Sequence, residues 1–238
     1  MAASQALHHC SVRSAFGKVL NQQPLMQNVL ADLALESEAA LTLSMRMARA
    51  MDHRAEEHED LLVRLVTAVG KYWICKRTPN HAYEAMECIG GSGVMEDSMM
   101  PRLYREAPVN AIWEGSGNVQ CLDVLRALSK TPAVVAAFFA EVNLAQGAQA
   151  VLDRYIATLA TDLKDLHDFE YRARDVVDRM ALALQASLLV RHAPAFISDA
   201  FCHSRLAQLG HHNYGTLPRG VDAAAIMARA TPKSTKAA

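Results

Sequence analysis

The sequence is poor in the residues that build β-rich folds. Aromatic residues make up 6% of its 238 positions, and there are only 11 glycines and 8 prolines. Sandwiches and barrels need strand-forming residues separated by frequent turns, and no stretch alternates polar and apolar residues for long. The composition is instead 51% hydrophobic, with abundant Ala, Leu and Met, which is typical of packed helices. We therefore expect an all-α fold.

The sequence also lacks a strong net charge, paired cysteines and long apolar runs. The net charge is −1 at pH 7, so no global field attracts nucleic acid or an acidic membrane. The five cysteines are an odd number without a C-x-x-C pair, which indicates a reducing compartment. No apolar run is long enough to span a bilayer, and the first residues do not have the layout of a signal peptide. A cytoplasmic protein with no membrane partner is expected.

Apolar periodicity predicts that helices cover most of the chain. The predicted segments are 2–17, 24–52, 60–76, 81–89, 96–104, 117–130, 133–147, 150–168, 170–191 and 195–209. The second segment carries one apolar stripe over about 40 Å, so it belongs in a bundle. A break is expected at Thr78-Pro79, and the Gly- and Pro-containing tail after Gly210 is expected to be loose. Met1 enters the first helical pattern without a cap, which suggests that an upstream part of the fold is missing.

The stretch from Ile112 to Gln120 carries the most distinctive chemistry. Glu114 stands between Trp113 and a glycine, and Ser116 occupies the N-cap position of the helix that follows. The unpaired N–H groups of a helix start suit a phosphate, a ribose hydroxyl or a thioester oxygen. Desolvation by Trp113 would raise the proton affinity of Glu114 and make it a competent base. The alternative is a solvated acid that is merely favoured by the helix dipole.

Two other features are weaker signals. His53 and His58 lie among carboxylates, but their five-residue spacing puts them on different faces of a helix, so a solvated loop is favoured and no metal site is predicted. Gly90 and Gly91 follow a helical segment, where small residues let a backbone approach a ligand. A glycine in that position is more often a plain helix C-cap.

Three motifs in order resemble the C-terminal helical domain of the acyl-CoA dehydrogenases. They are RSAFGK at 13–18 with Gln23, ECIGGSG at 87–93 and WEGSGN at 113–118. Within that family, MPRLYREAPVN at 100–110 and LDVLR at 122–126 resemble the DNA-alkylation-response (AidB-type) branch, as does the helical region after residue 131. The likeness implies an up-down helical bundle over 1–130 with an additional helical extension over 131–238.

The resemblance also implies site residues. Glu114 would remove the α-proton of an acyl-CoA thioester while hydride passes to FAD, and Arg126 would lie near the active cleft unless it is an ordinary exposed arginine. FAD contacts would come from Ile112, Trp113, Gly115, Ser116, Gly117 and Asn118. The FAD of a neighbouring subunit would be held by Arg13, Phe16, Gln23, Glu87, Gly90 and Gly91, which implies a homo-oligomer (dimer or tetramer). The family commonly has Gln where Glu87 stands, and a carboxylate there would repel phosphate.

Two further functions compete with this interpretation. In the branch the extension is associated with duplex DNA, and Arg172, Arg174 and Arg179 are the candidate phosphate contacts; a mixed-charge solvated surface is the alternative. The chain could then be a non-catalytic DNA-protection module, or a helical domain that only mediates oligomers. Family members also carry an N-terminal helical domain and a middle β-domain, neither of which is in this sequence. We therefore expect the chain alone to be inactive.

Overall fold

The computed structural model describes residues 1–165, 167–207 and 220–231, which form a helical bundle with a helical extension. In the first region the elements are α1 (Ala2–Val12), β1 (Ser14–Ala15), β2 (Lys18–Val19), α2 (Pro24–Asp52), α3 (Glu57–Ile89), α4 (Gly91–Val94), α5 (Met100–Glu106) and α6 (Gly117–Lys130). In the second they are α7 (Ala133–Val142), α8 (Ala150–Asp162), α9 (Ala173–His192), α10 (Ala195–Arg205) and α11 (Ala223–Ala230). The all-α fold class and the bundle with its extension are confirmed.

A tight hairpin follows α1 where the end of a helix was predicted. β1 and β2 pair antiparallel, and the two residues between them, Phe16 and Gly17, have φ of 51° and 79°. Positive φ at both positions is the requirement of a type I′ turn. The predicted helix over 2–17 is therefore wrong after Val12, because the local turn chemistry outweighs the apolar periodicity.

α3 is the central helix and continues through Pro79 for 33 residues. The predicted break at Thr78-Pro79 is wrong, and the helix also begins three residues before the predicted start. An interior proline costs about 3 kcal/mol in a helix. α3 packs against α1, α2, α6, α7 and α9, and the Thr78 hydroxyl donates to the Ile74 carbonyl at 2.7 Å. Packing along its whole length offsets the local cost.

The extension shares one core with the bundle. α9 is buried along most of its length and packs against α2, α3 and α6 as well as α8 and α10. Phe138 of α7 and Phe201 of α10 belong to the same continuous set of buried side chains as Leu65 of α3. The boundary predicted near residue 130 falls between α6 and α7, but apolar packing is continuous across it.

A buried ion cluster joins the two regions, and we call it the Arg46 cluster. Arg46 of α2 pairs with Glu59 of α3 at 2.7 Å and with Glu141 of α7 at 2.8 Å. Arg191 of α9 pairs with the same Glu141 at 2.6 Å. Four helices from both regions therefore meet at two carboxylates and two guanidinium groups, which leaves no charge of the cluster unpaired.

A second buried ion cluster lies nearer the start of α2. Arg205 of α10 pairs with Asp32 and, at 3.4 Å, with Glu36. Arg77 of α3 pairs with Glu36 at 3.0 Å. Burial alone would raise the pKa of Glu36, but the charges of Arg77 and Arg205 outweigh it and lower that pKa. Both clusters give the extension a defined orientation on the bundle.

α11 occupies part of the tail that was predicted to be loose. The Asp222 side chain caps its N-terminus, and Arg229 forms a bidentate pair with Glu38 of α2, with a shortest distance of 2.7 Å. The prediction is wrong for 223–230, because contacts with α2 order the helix. Residues 211–219 and 232–238 of the predicted tail, with Arg219, Lys233 and Lys236, lie outside the described residues. Within the described ranges, no helix is long and apolar enough to cross a membrane.

Candidate functional site

The turn before α6 is held by two side chains of the bundle. Lys71 Nζ, from α3, donates to the carbonyl oxygen of Trp113 at 2.9 Å and also to that of Gly115. Gln120 Nε2, from the first turns of α6, donates to the carbonyl oxygen of Glu114 at 3.0 Å. Three successive carbonyl groups are therefore satisfied within the protein, so the backbone of the turn is fixed. Sequence reasoning missed Lys71, which belongs to no recognisable motif, and it gave no role to Gln120, although Gln120 ends the stretch that was singled out.

Glu114 occupies a strained backbone position in this turn. Its φ is 52°, and that of Gly115 is 101°. A non-glycine residue with positive φ is uncommon, and such strain is concentrated at functional sites. The φ of Gly115 lies in the region that favours glycine, and a Cβ there would also displace the Gln120 amide group that holds the turn. Glu114 is consequently held on the outside of a rigid loop.

The side chain of Glu114 is open to solvent in this chain. Trp113 is 59% exposed and Ile112 66% exposed, and Glu114 itself is exposed. Among the described residues the exposure of Glu114 therefore matches the alternative of a solvated acid and not desolvation by Trp113. The Glu114 carboxylate leaves bulk water only when a further surface covers Ile112 and Trp113.

α6 begins as the sequence predicted, with Ser116 in the N-cap position. Ser116 has the extended backbone of an N-cap (φ −66°, ψ 171°), but its hydroxyl makes no capping hydrogen bond. The first hydrogen bond of the helix joins Gln120 N to Ser116 O at 2.9 Å. The N–H groups of the first three helical residues have no partner within the helix, and they carry the positive end of its dipole. The Ser116 hydroxyl is left to bind something other than its own helix.

An open cavity of about 410 Å³ lies at the start of α6. Its charged lining residues are Lys76 of α3 and Arg174 of α9, and none of its lining residues is acidic. Arg174 Nε donates to Asn118 Oδ1 at 2.9 Å. The lining residues are Lys76, Pro79, Pro108, Ala111, Ile112, Ser116, Gly117, Asn118 and Arg174. Four of the residues predicted to bind FAD are therefore brought together with two cations.

A half-buried carboxyl group, that of Asp178, lies one turn after Arg174 on α9. Burial raises the pKa of Asp178 to about 6, although a hydrogen bond from Tyr72 favours the ionised form. Burial and the neighbouring Asp178 raise the pKa of the Tyr72 hydroxyl. Tyr72 also touches the site directly, because its ring lies about 3.4 Å from where a Cβ on Gly117 would stand. Gly117 therefore allows α6 to start close against α3.

A second group of predicted site residues lies on the hairpin after α1. Phe16 is 99% exposed at its tip, and Arg13 is exposed at the end of α1. Gln23 Nε2 donates to the Ala15 carbonyl at 3.1 Å, which ties the start of α2 to the hairpin. The structure therefore brings Arg13, Phe16 and Gln23 together on one local surface.

The predicted residues at the end of α3 lie near that hairpin. Gly90 is the C-cap of α3 with φ of 73°, and Glu87 and Gly91 are exposed beside it. Cys10 Sγ of α1 donates to the Cys88 carbonyl at 3.5 Å, so the ends of α1 and α3 are in contact. At 1.5 Å per residue, Gly90 is about 21 Å along α3 from Lys76. The hairpin group and the α6 site are therefore two separate places on one chain.

Arg126 is not brought to Glu114. It lies in the later turns of α6, about 14 Å along the axis from the helix start. Its side chain is 60% exposed and pairs with Asp123 of the same helix at 3.4 Å. That geometry matches the alternative of an ordinary exposed arginine, and a catalytic role for Arg126 stays a prediction.

The three arginines predicted to contact DNA do not share a face. Arg172 and Arg179 are seven residues apart and so lie on one side of α9, whereas Arg174 points about 160° away from Arg172. Arg172 donates to the carbonyl oxygens of Asp165 and His167, and Arg179 pairs with Asp162. Arg174 lines the cavity at α6, whereas Arg179 lines a separate cavity between α8, α9 and the end of α10.

His53 and His58, near the α2–α3 connection, do not form a metal-binding cluster with other side chains among the described residues. His53 contacts Glu56 at 3.1 Å, and His58 lies 3.7 Å from Glu141. Over the described ranges, no cluster of three or more His, Cys, Asp or Glu side chains has the geometry to hold a metal ion.

A second cavity, of about 320 Å³, lies between α2, α3 and α5 beside Trp73 and Arg77. No sequence motif pointed to it.

Comparison with protein families identifies the bundle. The model of the acyl-CoA dehydrogenase C-terminal domain matches residues 1–129. The chain belongs to the acyl-CoA dehydrogenase family, of which it carries this helical domain. The match ends one residue before the end of α6, so the extension lies outside it.

Individual relatives extend the likeness over both regions. The putative acyl-CoA dehydrogenase AidB of Escherichia coli K12 is 41% identical over 212 residues, which cover 88% of this chain and 38% of that protein. The crystal structure of Caenorhabditis elegans ACDH-11 in complex with C11-CoA superposes with a TM-score of 0.80 at 25% identity, covering 86% of this chain and 40% of that one. An acyl-CoA dehydrogenase from Bacillus anthracis, complexed with FAD, shares the fold (TM-score 0.60, 18% identity, 85% of this chain and 42% of that one). The chain thus spans about two fifths of the length of these proteins.

Proposed function

We propose that this chain is the C-terminal portion of a flavin-dependent, AidB-type acyl-CoA dehydrogenase-like protein that oxidises an acyl-CoA thioester between its α and β carbons. The observation that carries the proposal is the α6 site, where an exposed carboxylate stands on a strained, fixed turn beside an open cationic cavity. Family membership and the likeness to AidB support the reaction class. The similar ACDH-11 structure is a complex with C11-CoA, which supports a fatty acyl-CoA as the substrate.

The residues at the start of α6 fit the phosphate-bearing part of FAD. The cavity has no acidic lining residue, the Ser116 hydroxyl is free of its own helix, and the first N–H groups of α6 are unpaired by the helix. Asn118 and the backbone of Gly115 and Gly117 complete the donor set. When bound, FAD would supply hydride acceptance, which no side chain of this protein can provide.

Glu114 is the proposed base. Its carboxylate takes the α-proton of the thioester, and the fixed turn restricts where that carboxylate can stand. The base needs a higher proton affinity than a solvated glutamate has, so Ile112 and Trp113 must be covered by another surface in the active assembly. This requirement explains why we expect the chain alone to be inactive.

The separation of the two groups of predicted residues favours a shared cofactor site. Gly90, at the end of α3 near the hairpin group, is about 21 Å along α3 from Lys76 of the α6 cavity. We propose that the hairpin group and the residues at the end of α3 (Glu87, Gly90 and Gly91) contact the FAD of a second copy, which makes the active form a homo-oligomer (dimer or tetramer). Glu87 is the weak point of this surface, since a carboxylate there opposes a diphosphate.

Co-expression tests the proposal directly. The chain is produced together with the remaining N-terminal portion of Escherichia coli AidB, and a yellow complex that reduces an artificial electron acceptor with acyl-CoA is expected. Glu114→Gln should keep the flavin and lose thioester oxidation, while the exposed Glu106→Gln should keep both. A colourless complex, or full oxidation by Glu114→Gln, would refute the assignment.

DNA binding and a cytoplasmic location remain predictions. The placement of Arg172 and Arg179 does not favour a phosphate-binding face on α9, because their side chains are used within the protein. A duplex-binding titration at low and high salt, with charge reversal at the three arginines, tests the DNA alternative. Binding that is absent at low salt would exclude it.

A further inference from the structure

The extension contributes a residue to the α6 site that belongs to none of the three family motifs. Arg174 comes from the first turn of α9, yet it lines the same cavity as Ser116 and Asn118. We infer that Arg174, together with Lys76, binds a phosphate group of the ligand at the start of α6. The inference rests on the proposed function only for the identity of that ligand as a dinucleotide diphosphate.

The hydrogen bonding of Arg174 distinguishes it from its neighbours on α9. Arg179 pairs with a carboxylate, and Arg172 is occupied by backbone carbonyl groups. Arg174 donates only its Nε, to the neutral amide of Asn118, and no carboxylate within the described ranges comes within 4.0 Å of its guanidinium. Both terminal nitrogens of its guanidinium group can therefore donate to two oxygens of a phosphate in bidentate geometry.

Lys76 supplies a second cation from an independent helix. It approaches the start of α6 so closely that a Cβ on Gly117 would stand 3.2 Å from Lys76 Cε. Neither a hydrogen bond nor an ion pair occupies its ammonium group among the described residues. Two cations, a free hydroxyl and the unpaired N–H groups of α6 thus converge on one open cavity from three helices.

The charged side chains that line the cavity are all cations. Asp178, one turn after Arg174 on α9, interacts with it electrostatically, and burial raises the pKa of that carboxyl to about 6. The Asp178 carboxyl receives its hydrogen bond from Tyr72 rather than from Arg174. At pH 7 the Asp178 carboxyl is still mostly ionised, so it offsets part of the charge of Arg174. It is not among the lining residues of the cavity, and the two charged side chains that are, Lys76 and Arg174, are both cations that suit an anion.

The test uses the 238-residue chain and inorganic diphosphate as the probe. Diphosphate is titrated into ¹⁵N-labelled protein, and the amide signals of Gly117, Asn118 and Val119 are followed by nuclear magnetic resonance. Saturable shifts at these amides are expected, with an affinity that falls as salt rises. Arg174→Gln should weaken binding by about tenfold, since it removes a charge-assisted bidentate contact. Arg172→Gln, on the same helix, should change it by less than about twofold.

The outcomes show whether Arg174 binds phosphate or only holds α9 against Asn118. If Arg174 only anchors α9 to Asn118, Arg174→Gln lowers the melting temperature and leaves the affinity unchanged, which overturns the inference. Lys76→Gln tests the same cavity from α3; unchanged affinity in either folded variant, or no shift at the three amides, also overturns it. A colourless co-expressed complex with normal diphosphate binding would refute the proposed function alone. A yellow, active complex in which Arg174→Gln keeps its full FAD affinity would refute this inference alone.

Discussion

The two faces of the bundle differ in how completely their polar and apolar groups are satisfied. On the face toward the extension, Arg46, Glu59 and Glu141 are almost fully buried and each charge has a partner. On the face at the start of α6, Ile112 and Trp113 are more than half exposed and Glu114 is open to solvent. The first face is a buried interior whose charges are all paired, whereas the second has the exposed apolar groups of a binding surface. The buried cluster therefore serves stability, and the exposed start of α6 is where we propose that a ligand binds.

The largest effect is expected from a substitution in the Arg46 cluster, on the buried face. Arg46→Met leaves Glu59 and Glu141 buried without their shared cation, so we expect a loss of about 3–5 kcal/mol in the free energy of unfolding. The exposed pair of Arg54 and Asp60 is the control, and Arg54→Met should cost no more than about 1 kcal/mol. Urea unfolding followed by circular dichroism measures both. Equal losses would mean that burial of the cluster is not what holds the regions together.

The same cluster predicts a dependence on acid. Burial alone would raise the pKa of Glu141, but hydrogen bonds and charges from Arg46 and Arg191 lower it to about 2. A depressed carboxyl pKa contributes stability above the unfolded value near 4.5, and that contribution is lost as pH falls toward 2. The stability difference between wild type and Glu141→Gln should therefore be about 3 kcal/mol at pH 7 and shrink below pH 4.

Unfolding at a series of pH values checks the Glu141 prediction. The matched control is the exposed Glu57→Gln, whose free energy of unfolding should change with pH as that of the wild type does. A difference that stays constant from pH 7 to pH 3 would show that Glu141 contributes through packing and not through its charge.

Asp178 should behave in the opposite way, since its pKa is raised to about 6 by burial. A raised carboxyl pKa lowers stability once the pH exceeds the unfolded value of 3.8, and the loss is complete above the folded value. Asp178→Asn keeps an acceptor for Tyr72 and should raise the free energy of unfolding at pH 8 by up to about 3 kcal/mol. The gain should vanish below pH 4. The exposed Asp97→Asn is the control, and a destabilised Asp178→Asn at pH 8 would contradict the assignment.

The smallest effect concerns a polar group inside α9. Gln185 is 1% exposed, and neither its amide nitrogen nor its amide oxygen has a hydrogen-bond partner among the described residues. Met has nearly the same shape without the unsatisfied groups, so Gln185→Met should stabilise the protein by roughly 1–2 kcal/mol. Thermal unfolding at pH 7 measures the gain, and Gln149→Met on the partly exposed start of α8 is the comparison. A loss of stability would indicate that a buried water satisfies the amide.

Local sequence signals determined the helical class, the start of α6 at Ser116 and the turn that carries Glu114. These follow from composition, apolar periodicity and the demands of glycine at positive φ, all of which act over a few residues. The hairpin at Phe16-Gly17 was equally local, and it was missed because helical periodicity was followed past α1.

Tertiary structure alone decided what long-range contacts control. α3 continues through Pro79 because other helices pack along its whole length, and α11 is ordered because Arg229 reaches Glu38 across 191 positions of the chain. The meeting of Arg174 with Asn118, 56 positions apart, placed a residue from the extension in the site at α6. A sequence states which side chains are available, but the separation of two charges in space is set by the packing of whole helices. That packing is also why Glu114 remains in water here, although Trp113 stands beside it.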